Sequence, residues 1–192
     1  MKMILILINV MMVNSVVAQS NKPEARVEKV NITYNDKTVK ARRLTMSSQM
    51  PMDLEKAWQL IKTPRLLQFV AKGMISFKPV GDSLPAAWQA GETYAVKMRL
   101  WGFLPFGGKH YLYIDSIDNE TFVITTREWD KAAKVWNHKI TLQQLDNGLI
   151  HYEDEIILYG GWMTGIITAF ARRFYKHRQR RWQLVAEEKN FF

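Results

Sequence analysis

Residues 162–188 contain no proline and one glycine, Gly165, while Met163, Ile167, Phe170, Phe174 and Val185 recur along one side of a helix. This pattern predicts a single long C-terminal helix with an apolar stripe. Such a stripe has to be buried against another layer, and the preceding sequence supplies one. Residues 75–79, 93–101, 110–117, 122–129, 134–145 and 149–159 read as strands. Asp118-Asn119-Glu120, Asp130-Lys131-Ala132-Ala133 and Asp146-Asn147-Gly148 join the last of them, and loops this short make sequential strands antiparallel neighbours. A long helix laid against an antiparallel meander is an α+β arrangement.

Upstream, residues 26–34 and 38–48 read as strands on either side of Asn35-Asp36, a dipeptide suited to a turn. Asp53 is a good helix cap ahead of LEKAWQLI, in which Leu54, Ala57, Trp58 and Ile61 share one face. Thr63 and Pro64 then cap and start a second short helix running to Val70. No repeat or linker divides the rest, so one domain is expected.

The order of strand, two short helices, meander and long closing helix resembles the helix-grip fold of the START-like superfamily, also called SRPBCC. The resemblance runs from about Leu44 to Val185. It is carried by PMDLEKAW at 51–58, GFLPFG at 102–107, Trp136 with His138, Tyr152 with Asp154, and FYKHRQRRW at 174–182. It implies a curved antiparallel sheet wrapped on the C-terminal helix with a ligand held between them, and it implies no particular reaction.

The first eighteen residues place Lys2 ahead of an apolar run from Met3 to Val17 that closes on Ala18, the layout of a secretory signal. The expected division is therefore a signal peptide at 1–18, an N-terminal strand or extension at 19–43 and a START-like ligand-binding domain at 44–192. A periplasmic or secreted location follows, with an uncleaved N-terminal membrane anchor as the alternative. The chain has no cysteine, which excludes disulfides, thiolate metal sites and a cysteine nucleophile. The net charge of +9 is concentrated in segments such as RRFYKHRQRR at 172–181 and carries no nucleic-acid motif, so nucleic acid is not an expected partner. The four histidines lack metal-ligand spacing, and neither a metal nor a cofactor is expected.

Strand alternation puts Trp136, His138, Ile140 and Leu142 on one face. A three-residue loop at 146–148, with Gly148 in the left-handed region, pairs Leu142 with Tyr152, Ile140 with Asp154 and His138 with Ile156. The other parity would bury Glu153 and Glu155. A four-residue loop at 130–133 would set Val123, Thr125 and Arg127 on the same inner face, with Arg127 opposite Trp136. On the long helix, Phe174, Arg178 and Trp182 continue the inward stripe.

The expected ligand contacts are Arg127, Trp136, His138, Tyr152, Asp154, Phe170, Phe174 and Arg178. The polar members would orient the polar end of a small hydrophobic or lipid-like molecule, or else form an internal brace that touches no ligand. A carrier or sensor is the first reading. A cyclase-, dehydratase- or hydrolase-like enzyme is the second, though no nucleophile stands beside His138 and Asp154. The third is a module on an anionic membrane surface, suggested by the WGFLPF loop at 101–106 and the basic helix; against it, that loop is expected to fold back on the helix.

Overall fold

The computed structural model describes residues 22–187, so the signal-peptide reading of residues 1–18 lies outside the described residues. Strands β1 (Glu24–Tyr34) and β2 (Lys37–Met50) are followed by helices α1 (Leu54–Ile61) and α2 (Pro64–Ala71). Next come β3 (Ile75–Pro79), β4 (Thr93–Leu100), β5 (Leu104–Asp118), β6 (Val123–Trp129), β7 (Val135–Gln144) and β8 (Ile150–Tyr159). One 3₁₀ turn, Gly161–Met163, leads into α3 (Thr164–Glu187). All neighbouring strands are antiparallel, in the order β1-β2-β8-β7-β6-β5-β4-β3. The helix-grip architecture is thus present: α1 and α2 carry the chain from β2, which pairs with the last strand, to β3 at the opposite edge.

Local chemistry sets these boundaries. Asn35 and Asp36 both take positive φ, 49° and 59°, the geometry of a two-residue hairpin whose twist matches its strands. The Asp53 carboxylate accepts from the Lys56 amide at 2.8 Å, and Thr63 Oγ1 accepts from that of Leu66 at 3.2 Å, so each short helix starts on a side-chain cap. Register shifts between Lys97 and Met98, where Gly108 at φ 75° lies on the facing strand, and between Ile114 and Ser116 add curvature to the sheet.

Helix α3 packs against β2, β8 and α2. Its Trp182 and Val185 join Trp58, Leu66, Leu142 and Tyr152 in one apolar cluster. Toward its start, Ala171, Phe174 and Tyr175 join Leu44, Met46, Trp136 and Ile156 in another. Burying side chains of this size stabilises the fold by about 1.5–3 kcal/mol apiece.

The β7–β8 register is as expected, with Ile140 opposite Asp154 and Leu142 opposite Tyr152. The β6–β7 register is not. Arg127 lies opposite Asn137, and Glu128 takes the place opposite Trp136. The physical reason is a loop one residue longer than expected: the Asp130 carboxylate accepts from the amides of Ala132 and Ala133, and Lys134 also stays outside the ladder. One added residue turns every side chain of β6 to the other face. The reading of 101–106 divides: β5 begins at Leu104, Trp101 and Phe103 at the hairpin tip are 63% and 70% exposed, and Phe106 folds back on Phe170 of α3.

Candidate functional site

Between the concave face of the sheet and α3 lies a cavity of about 240 Å³. Most of its wall is apolar, with Met98, Leu112, Ile114 and Ile124 from the sheet facing Phe170 and Phe174 from α3. The two phenylalanine rings stack in parallel at 6.2 Å, and Phe106 of β5 packs on Phe170 at 5.0 Å. Ile166, which is 62% exposed, also lines the cavity, so the cavity reaches the surface beside the first turns of α3.

Part of the wall is polar, and strand alternation puts it there. Every second residue of β6, namely Ile124, Thr126 and Glu128, points inward beside Trp136 and His138 of β7. His138 Nε2 lies 2.8 Å from Asp154 Oδ1, which also accepts the Tyr152 hydroxyl at 2.8 Å, while Gln179 of α3 donates to Oδ2 at 3.1 Å. The other nitrogen of His138 is 3.8 Å from Glu128 Oε1. Glu128 in turn accepts from Thr126 at 2.7 Å and meets His110 Nε2 at 3.0 Å, and His110 Nδ1 meets Asp130 at 3.2 Å. The buried sequence is therefore Asp154, His138, Glu128, His110, Asp130, with an imidazole between each pair of carboxylates.

Burial works against charge on His110, yet the flanking Asp130 and Glu128 prevail and push its pKa up to about 9. His138 is raised as well: desolvation opposes this, and Asp154 and Glu128 outweigh it. Burial would raise Glu128, but His110 and His138 hold it well below the usual carboxylate range. Asp154 behaves similarly, its burial being outweighed by Arg178, His138 and Tyr152. At neutral pH these groups form an ionised network.

The expected contacts divide three ways. Trp136, His138, Phe170, Phe174 and Arg178 line the cavity. Tyr152 and Asp154 are fully buried behind that wall and adjoin the cavity through His138. Arg127 is on the outer face, paired with Asp115 and stacked 5.1 Å from the Tyr113 ring, because of the register change in β6. Glu128, His110, Asp130 and Tyr175 line the cavity without having been expected there. The alternation Ile124, Thr126, Glu128 was a signal for the first of these, but the opposite alternation Val123, Thr125, Arg127 carries an equal share of apolar and charged residues. Among the described residues no cluster of His, Asp and Glu is placed to hold a metal ion.

No protein-family model matches the sequence, and no curated protein matches it. Solved structures do resemble it. A START superfamily protein from Mycobacterium smegmatis aligns at 6% identity and a TM-score of 0.56, over 76% of this chain and 97% of the other. Major latex-like protein 151 from Panax ginseng aligns at 11% identity and 0.56, over 75% and 96%. Protein Ms6760 from Mycobacterium smegmatis aligns at 12% identity and 0.59, over 74% and 89%. Identities this low speak to architecture alone. With the eight-stranded sheet, the gripped α3 and the cavity between them, they establish that this chain has the START-like, helix-grip fold.

Proposed function

We propose that the protein binds a small hydrophobic molecule in the cavity between its sheet and α3, as a carrier or sensor. The cavity is the observation that carries this reading. Protein interiors pack without voids much larger than a water molecule, so a mainly apolar space of this volume that opens to the surface is not what close packing alone produces. A mainly apolar wall with a few convergent polar groups is the composition of a ligand site, and the volume, somewhat under the roughly 300–1,000 Å³ usual for such sites, suits a small occupant. Ile166 and Met163 at the surface end give an apolar entry.

The test is titration with N-phenyl-1-naphthylamine, a neutral dye that brightens in apolar surroundings. Saturable enhancement at one dye per protein is expected, and Leu112→Trp, which enlarges a cavity-lining side chain, should abolish it. Absence of saturable binding, or binding unchanged in a folded Leu112→Trp variant, would count against the reading.

A further inference from the structure

Arg178 is buried, 6% exposed, and lines the cavity. Its guanidinium stands over the rings of Tyr175 and Phe174, 5.0 and 5.7 Å from their centres. Among the described residues it forms no hydrogen bond or ion pair, and its Nε is enclosed without an acceptor. A guanidinium carries five donors and accepts nothing, so a buried one without partners is costly. Burial disfavours its charge, but the neighbouring Tyr152, Asp154, Tyr175 and Glu128 more than restore it.

Tyr175 stands one helical turn earlier on the same face. Its hydroxyl oxygen accepts from Trp136 Nε1 at 3.1 Å, and its hydrogen has no acceptor among the described residues. Burial pushes the phenol pKa up, so the hydroxyl keeps that hydrogen. Two adjacent donor groups without acceptors therefore face one apolar cavity, and what complements them is an acceptor.

Charge selects which acceptor. Arg178, His110 and His138 stand against Glu128, Asp130 and Asp154, and the imidazoles lie directly between the carboxylates. With both imidazoles protonated the positive and negative groups balance. A ligand carboxylate would add a buried negative charge with nothing left to offset it, whereas a neutral oxygen would satisfy the donors without altering the balance.

We propose that the ligand is a neutral amphiphile whose polar end is a carbonyl oxygen, as in a ketone, ester or amide, held by Arg178 and Tyr175 while its hydrocarbon part packs on Leu112, Ile114, Phe170 and Phe174. This deepens the binding reading above and rests on it. The experiment displaces N-phenyl-1-naphthylamine at neutral pH with a medium-chain methyl ketone, the alkane of equal length and the carboxylate of equal length. The ketone should bind about 10-fold or more tightly than the alkane, as hydrogen bonding to a charged donor implies, and more tightly than the carboxylate. Arg178→Met and Tyr175→Phe should each lower the ratio of ketone to alkane affinity. If Arg178→Met does not fold, the wild-type ranking and Tyr175→Phe decide. A carboxylate that binds best, or an alkane equal to the ketone, would overturn the carbonyl assignment while leaving cavity binding intact. If neither the dye nor any of the three binds, the binding reading falls, and this inference with it.

Discussion

His110 is paired through both ring nitrogens with carboxylates, at 3.0 Å to Glu128 and 3.2 Å to Asp130, in a site where it is 4% exposed. Its pKa of about 9 stands above the ordinary 6.5, so folding binds its proton more tightly than the unfolded chain does. The stability gained is fully present below pH 6.5 and is lost as pH rises through about 9; its size is on the order of 3 kcal/mol at most. Glu128 and Asp154, held below the carboxylate range, act in the opposite sense and lose their contribution as the pH falls below that range. The urea midpoint is therefore expected to be highest near pH 5–6.5 and to decline toward pH 9. His110→Gln should flatten the alkaline decline even though the variant is less stable overall. An unchanged alkaline slope would show that another group governs it. Nothing in the local sequence announces this role, because His110 meets its partners only when β5 and β6 lie side by side.

The junction between β8 and α3 shows how an element is held in place. A Cβ on Gly160 would lie 2.6 Å from the Ala132 carbonyl oxygen and 2.3 Å from Ile167 Cδ1, so the end of β8 runs hard against the β6–β7 loop. The Ile167 methyl can move, but the loop carbonyl belongs to the segment that fixes the β6–β7 register. Gly160→Ala should cost about 1–3 kcal/mol through overpacking. Gly165, in the first turn of α3, has open space where a Cβ would stand, so Gly165→Ala should gain roughly 0.5–1 kcal/mol from helix propensity. Thermal melts of the two variants separate these outcomes, and equal shifts would refute the close approach at Gly160. The element also shows what periodicity can resolve. The stripe of α3 is long and continuous, whereas β6 offers two alternations of equal merit, and only the loop length chooses between them.

For the molecule as a whole, a ligand that binds the folded state alone raises stability by mass action. With N-phenyl-1-naphthylamine at about 100 times its dissociation constant the gain is about 2.7 kcal/mol, which for a domain of this size is roughly 5–10 °C in Tm. Leu112→Trp should abolish the shift by occupying the space the dye needs. A shift that persists in that variant would place the dye somewhere other than the cavity.

The order of elements, the caps at Asp53 and Thr63, the two-residue turn at Asn35 and Asp36, and the β7–β8 register were legible in the sequence. They depend on near neighbours and on an alternation that only one parity satisfies without burying Glu153 and Glu155. The pairing of His138 with Asp154 followed from that register. The inward turn of Glu128, the outward turn of Arg127 and the meeting of His110 with Asp130 were not legible. The first two depend on one residue of loop length, which backbone hydrogen bonds to the Asp130 carboxylate decide, and the third on the pairing of β5 with β6. The unpartnered donors of Arg178 and Tyr175 are likewise a tertiary fact. A sequence states what donors a side chain has, and only the packed structure determines which of them are left without an acceptor.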